Sequence, residues 1–261
     1  MNVQIRILGA VTIDRGPDET VLISSAGARA LLALLAWRPM TFVSDDVAVE
    51  KIWGETPPLH PRAALYTCAN RLRRTIAVST GMGTEVVARG RGAYRLVLDP
   101  ANVDVHRFRQ SLDAARTAMR QDENETALAL FDRADALWHG SPVSDLSSAW
   151  ACRTRNCLEQ ERLGMQLDRA RVHLRLGRHA EILPLLHRLA EKRPLDESIA
   201  WMLILALHRS SRQSEALACF SRIRSQLIRE IGDEPGPELK RLHQCILTRD
   251  PALSSGSPLV V

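Results

Sequence analysis

The chain has 261 residues, 45% of them hydrophobic and 25% charged, with a formal net charge of +5 at pH 7. That length and apolar content support two folded cores of ordinary size, and no run of about eighteen apolar residues is present to form a membrane-spanning helix. The leading "MNVQIRILGAVTID" carries neither a basic lead-in nor an extended apolar segment, so no export signal is read and a cytoplasmic protein is expected.

The first segment alternates apolar runs with turn residues. "VQIRILG", "VTID" and "TVLIS" predict three short strands, separated by Gly9 and by the cluster "DRGPDE". "SAGARALLALLAWRP" follows, apolar on nearly every side, with Ser24 or Ser25 as N-cap and Pro39 as the stop; this predicts a buried helix. "SDDVAVEKIWG" predicts a short second helix, with Ser44 as N-cap, Asp45 and Asp46 in the first turn where the helix dipole favours negative charge, and Gly54 at its end.

A proline-stiffened connector, "ETPPLH", leads to Pro61, which suits the first position of a third helix over 61–77. After the break "TGMGT", the stretch "EVVARGRGAYRLVLD" predicts two strands around a Gly-Arg-Gly tip. Strands, three helices and a terminal hairpin, in that order, are the order of a winged helix-turn-helix.

From Val103 to about Thr248 the pattern is helical, broken only by short polar stretches. Within it "GRHAEILPLLHRL" from Gly177 and "SRQSEALACFSRI" from Ser211 match at an offset of 34 residues, the period of tetratricopeptide repeats. A third copy is hinted at by "ALALF" at 127–131 beside "ALACF" at 216–220, and Pro184 is expected to bend its helix. The chain is therefore read as mainly α with a small β component: a winged helix-turn-helix over 1–100, an all-α tetratricopeptide-like domain over 101–248, and a flexible tail over 249–261.

Charge is concentrated rather than spread. Seven arginines (62, 71, 73, 74, 89, 91 and 95) stand between His60 and Leu98 against one acid, Glu85. On a helical projection of 62–77, Leu65, Ala69, Leu72 and Ile76 share one face with Cys68 at its margin, while Ala63, Thr67, Asn70 and Arg74 lie opposite, flanked by Tyr66 and Arg71. The exposed face suits a DNA major groove, where Asn bonds adenine, Arg bonds guanine and a Thr methyl meets thymine. Arg74 with Thr67 and Asn70 is read as base-reading. Arg62, Arg71, Arg73 and Arg95 are read as phosphate anchors, so that Asn70→Ala relaxes sequence choice while Arg73→Ala weakens binding to all sequences alike. On the hairpin, Arg89 and Arg95 add positive charge, and Arg91, between two glycines, suits a minor groove or phosphates.

Two other classes compete with this reading. A helical-repeat interaction scaffold would expose the same arginines as a solvated face. An enzyme is disfavoured: His139, His173, His179 and His187 show no metal-ligand spacing, no serine nucleophile elbow occurs, and no phosphate-binding glycine loop is present, so neither cofactor nor metal is expected. Cys68, Cys152, Cys157, Cys219 and Cys245 form no C-x-x-C pair and are read as small buried residues. Trp138, Trp150 and Trp201 are read as core rather than as a ligand pocket.

The motifs "WGE.PP", "N.LRR", "VD.HRF", "GR.AE" and "EPGPEL", in unbroken order over about residues 3–248, resemble the Streptomyces antibiotic regulatory protein (SARP) family. The resemblance implies an OmpR-type winged helix joined to a bacterial transcriptional activator domain. It implies activators that bind direct repeats in double-stranded DNA at antibiotic-biosynthesis promoters, as homodimers or tandem protomers, and recruit RNA polymerase holoenzyme. By analogy, Glu55, Thr56, Pro57 and Pro58 form a candidate polymerase-contact loop; a rigid connector is the other reading of that loop. Two departures stand out: Ala93 precedes Tyr94 where the family usually has glycine, and "AGARALLALL" lacks a lysine common in relatives.

Overall fold

The computed structural model describes residues 3–16, 19–81, 83–250 and 253. It begins with three strands, β1 (Gln4–Arg6), β2 (Thr12–Asp14) and β3 (Thr20–Leu22), in an antiparallel sheet ordered β1-β2-β3. Ile5 faces Ile13 in register, and both are buried. Helix α1 (Ala26–Ala36) starts at Ser25, whose hydroxyl accepts from Ala28 N, and its leucines are buried all round, as their unbroken run requires.

Helix α2 (Asp45–Trp53) is capped by Ser44 as expected. The two residues before it, Val43–Ser44, form strand β4, which the sequence reading missed because two residues carry no periodicity. Helix α3 (Pro61–Thr80) runs three residues beyond the expected end. The hydroxyls of Ser79 and Thr80 donate to the carbonyls of Thr75 and Ile76, so these residues lie within the helix and it stops only at Gly81. Strands β5 (Val87–Gly90) and β6 (Ala93–Leu96) form the expected hairpin, and β4 pairs with β6 to give the order β4-β6-β5. Its two-residue tip is Arg91–Gly92, with Gly92 at φ +67°, a conformation costly for any residue with a Cβ.

Among the described residues seven α-helices follow: α4 (Asp104–Arg120), α5 (Asn124–Asp135), α6 (Ala149–Arg175), α7 (His179–Lys192), α8 (Glu197–Arg209), α9 (Gln213–Glu230) and α10 (Pro237–Thr248). The protein is thus mainly helical, with small sheets near its N-terminus. Contacts divide it into two compact units, residues 1–115 with 129–163, and residues 116–128 with 164–261.

The first unit extends past the wing because the N-terminal sheet draws its polar partners from later in the chain. Asp104, at the start of α4, accepts from Ile7 N (2.9 and 3.0 Å), Leu8 N (2.8 Å) and Val105 N (2.7 Å). His139 N and Val143 N donate to the carbonyls of Leu8 and Ile7, and Asp145 accepts from Val11 N while pairing with Arg29 at 2.7 Å. Ile7 and Leu8 are fully buried, so each of these partners satisfies a backbone group that water does not reach. Burial pushes the Asp104 carboxyl up to about 7, against the pull of the Leu8, Ile7 and Val105 amides and of Arg6.

In the second unit α8 is the central helix: Ala200 and Met202 through Leu207 are buried in one core with residues of α7, α9 and α10. The 34-residue offset is visible in the backbone. Arg178 and Arg212 hold the N-cap positions of α7 and α9 with similar torsions, φ −85°, ψ 50° and φ −101°, ψ 51°. Leu189 and Ile223 are both buried, as are Ala216 and Phe220, and the Phe220 ring stacks on His243 at 3.8 Å. Helix α7 is unbroken through Pro184, which costs the one hydrogen bond its missing N–H would make. Of the tail expected over 249–261, only Arg249, Asp250 and Leu253 fall among the described residues; Leu253 is buried and its carbonyl accepts from Arg209 Nε at 2.9 Å.

The expected consequence of the Asp104 arrangement is that Asp104→Ala leaves three buried amides without an acceptor, at about 1–3 kcal/mol each, lowering the urea midpoint sharply. Because the folded pKa lies above the unfolded value of about 4, the native state holds the extra proton between them. The Asp104 contribution to stability is therefore largest below about pH 4 and declines as pH rises to about 7. Urea titrations across that range should show this slope in the wild type and its loss in Asp104→Ala.

Candidate nucleic-acid interface

Helix α3 is amphipathic in the manner its sequence dictates. Leu65, Ala69, Leu72 and Ile76 are buried with Cys68 beside them, and α1 and α2 pack against the helix. On the other side Arg62, Ala63, Tyr66, Thr67, Asn70, Arg71 and Arg74 are exposed, and Arg73 is half-buried at the edge. Thr67 Oγ1 donates to Ala63 O at 3.0 Å. Among the described residues Arg71, Arg74 and Arg91 form no ion pair, so their charge faces outward unneutralised.

The remaining arginines are engaged within the fold. Arg62 Nη2 bonds Asp46 Oδ1 at 3.1 Å, a pair in which both side chains are largely exposed and which is worth little to stability. Arg73 Nε donates to Val87 O at 2.9 Å and Nη1 to Asn70 Oδ1 at 3.1 Å. Arg89 makes a two-pronged contact with Asp45, whose Oδ2 accepts from Nη2 at 2.7 Å; the hydrogen bonds to the Asp45 carboxylate raise the guanidinium pKa further and favour its charged form. Arg95 lies over the Phe42 ring at 4.6 Å.

Beneath these groups is Tyr94, 1% exposed. Arg89 stands 4.2 Å from its ring centroid and Arg73 5.8 Å, so two cations share one aromatic ring. Burial pushes the phenol pKa up, against the pull of both arginines. The sequence reading missed Tyr94, Phe42, Asp45 and Asp46 as parts of this surface. Asp45 and Asp46 satisfied a simpler rule, acids in the first turn of a helix, and only the pairing of β4 with β6 brings Asp45 to the hairpin: Asp45 N donates to Gly92 O at 2.9 Å. At the other face of the hairpin, a Cβ on Gly90 would fall 2.8 Å from the Phe42 ring, so glycine there permits the close approach.

In the connector, Glu55, Thr56 and Pro57 are exposed and Pro58 is half-buried. Thr56 is bonded back to Trp53 O through both its amide and its hydroxyl, at 3.2 and 3.3 Å, and Leu59 is 89% exposed. Trp138 packs edge-on to Phe108 at 5.2 Å, and both are buried with Trp150. Of the cysteines, Cys68 and Cys219 are buried as read, but Cys152 and Cys157 are exposed on α6, whose outer face the spacing alone did not identify.

A three-helix unit flanked by small sheets, with its third helix presenting a polar face beside a basic hairpin, defines a winged helix-turn-helix regulator carrying a helical effector region. Residues 103–247 match the family model described as bacterial transcriptional activator domain. The regulatory protein DnrI of Streptomyces peucetius is 32% identical, over 98% of this chain and 96% of that protein. The transcriptional regulator RedD of Streptomyces coelicolor is 31% identical, over 98% of this chain and 74% of that one. A solved structure of Mycobacterium tuberculosis EmbR in complex with a low affinity phosphopeptide superposes with a TM-score of 0.88 at 26% identity, covering 98% of this chain and 68% of that chain.

The chain belongs to the SARP family of transcriptional regulators, a non-enzymatic family whose membership implies DNA binding. No helix among the described residues is long and apolar enough to cross a membrane.

The Asp45–Arg89 pair generates a stability test. Asp45 is nearly buried, so Arg89→Ala strands a carboxylate and is expected to cost about 1–3 kcal/mol, between the ranges for surface and buried pairs. The Asp45→Asn/Arg89→Ala double variant should recover part of that loss in urea denaturation, because no charge is left unpaired.

Proposed function

We propose that the protein is a sequence-specific transcriptional activator that binds direct repeats at promoters of a secondary-metabolite biosynthetic cluster, with residues 1–100 as the DNA-binding module and 101–248 as the activator domain. Helix α3 enters the major groove, and its exposed Thr67, Asn70 and Arg74 meet base edges while Arg71 lies toward the phosphates. Arg91 at the hairpin tip reaches the adjacent minor groove or backbone. Protomers occupy tandem half-sites in the same orientation, and the connector around Glu55–Pro58 with the helical domain offers surfaces to RNA polymerase holoenzyme.

The observation that carries this reading is the division of labour on α3. One face supplies the packing, and the opposite face exposes polar and cationic side chains, of which Arg71 and Arg74 form no ion pair among the described residues. The unneutralised Arg91, on a two-residue tip beside it, extends the same electropositive surface. A scaffold has no requirement for this juxtaposition.

Fluorescence anisotropy with duplexes from the promoters flanking the gene, at several salt concentrations, tests the reading. The wild type should discriminate a specific site from unrelated duplex, with log affinity falling steeply with log salt. Arg91→Ala should weaken binding to all duplexes alike and lower the slope by about 1. Binding without sequence preference, or none, would favour an interaction scaffold.

A further inference from the structure

The reading of α3 as the helix in the groove leaves open what determines its choice of bases, and the inference drawn here rests on that reading. Asn70 sits near the middle of the exposed face, and a side-chain amide is ambiguous: turning it over exchanges its acceptor oxygen for its donor nitrogen with little change of shape. An unrestrained amide at this position would present either group to a base edge and so choose weakly.

Arg73 removes that ambiguity. A guanidinium has only donors, so an amide beside it must turn its oxygen toward it; the reverse orientation would set donor against donor. The structure has this arrangement, with Arg73 Nη1 donating to Asn70 Oδ1 at 3.1 Å. The same guanidinium is itself fixed, because Nε donates to Val87 O at 2.9 Å and the group lies beside the Tyr94 ring at 5.8 Å. That ring is buried and also carries Arg89 at 4.2 Å, which is bonded to Asp45 at the start of α2. Thus Asp45, Arg89, Tyr94, Arg73 and Asn70 form one connected chain of contacts, from the N-terminus of α2 through the hairpin to the reading face of α3.

We infer that Arg73 is a positioning residue for sequence recognition: held by Val87 and Tyr94, it pins the Asn70 amide in a single orientation, with Nδ2 directed away from Arg73 as a donor to the DNA. The pinned amide favours a base edge offering an acceptor in the major groove and disfavours cytosine, whose N4 group is a donor there. This differs from the role that helical position alone suggests for Arg73, a phosphate anchor at the edge of the presented surface. The half-buried, inward-turned guanidinium supports the positioning role.

Arg73→Lys separates the two roles. An ammonium serves a phosphate as a point charge, but it lacks the planar fork that bonds Val87 O and Asn70 Oδ1 together. Binding would be measured on the specific duplex and on a panel changing each base pair in turn, with thermal melting as the check on folding. The wild type and Arg73→Lys should bind unrelated duplex within about twofold of one another, since the charge is kept. At the one base step read by Asn70, the wild-type preference, about 5- to 150-fold for a well-made base contact, should collapse in Arg73→Lys as it does in Asn70→Ala, and the double variant should lose no more than either alone.

If Arg73→Lys is poorly folded, Asn70→Asp carries the test instead. Its exposed carboxylate still accepts from Arg73 but offers only acceptors outward, so the wild-type preference at the same step should be lost and turn toward cytosine, whose N4 group is a donor there. Preference retained in Arg73→Lys, or in Asn70→Asp, overturns the inference while leaving α3 as the recognition helix. A wild-type protein without preference at any step overturns the recognition reading itself.

Discussion

The Asp45 carboxylate on Arg89 ties the hairpin to the helix-turn-helix, beside the pairing of β4 with β6 and the Arg73–Val87 bond, and the same Arg89 guanidinium lies over the Tyr94 ring. A two-stranded ribbon of four residues a side is marginal by itself. Here it gains a third strand through β4 and an ionic tie to the first turn of α2. The same ring borders Arg73 on α3, so one buried aromatic residue touches side chains of both the hairpin and α3. A loss of the Asp45–Arg89 tie would leave the tip at Arg91 held to the face of α3 only by strand pairing and the Arg73–Val87 bond.

The arginines consequently fall into groups that charge counting does not separate. Arg73 and Arg89 spend their hydrogen bonds inside the fold, and Arg95 lies over Phe42. Arg71, Arg74 and Arg91 project without a described ion pair. A stretch that reads as uniformly basic is therefore a scaffold of paired cations that supports a smaller number of available ones. The acids Asp45 and Asp46 neutralise part of the stretch from outside it, through strand pairing and helix packing rather than sequence proximity.

Much of this was legible in the sequence because the responsible signals are local. Ser25 and Ser44 cap α1 and α2, Pro61 opens α3, and the Gly-Arg-Gly tip turns the hairpin, each by short-range geometry. The 3.6-residue period placed Leu65, Ala69, Leu72 and Ile76 inside and Thr67, Asn70 and Arg74 outside. What escaped is long-range. Strand β4 exists only by pairing with β6, some fifty residues away. Asp104, in the first turn of α4, satisfies Ile7 and Leu8, while Asp145 reaches Val11 and Arg29. No window of sequence contains both partners of such contacts, which is also why the first compact unit runs well past the wing.

The central claim is that one face of α3 and the adjoining hairpin tip are where this regulator meets DNA. Amide chemical-shift mapping, titrating isotope-labelled full-length protein with a promoter duplex, addresses it residue by residue. The account predicts the largest shifts at residues 63–74 and 90–92, with residues 179–248 little changed when a single half-site is used. Shifts confined to the helices beyond residue 179, or absent from α3, would contradict it.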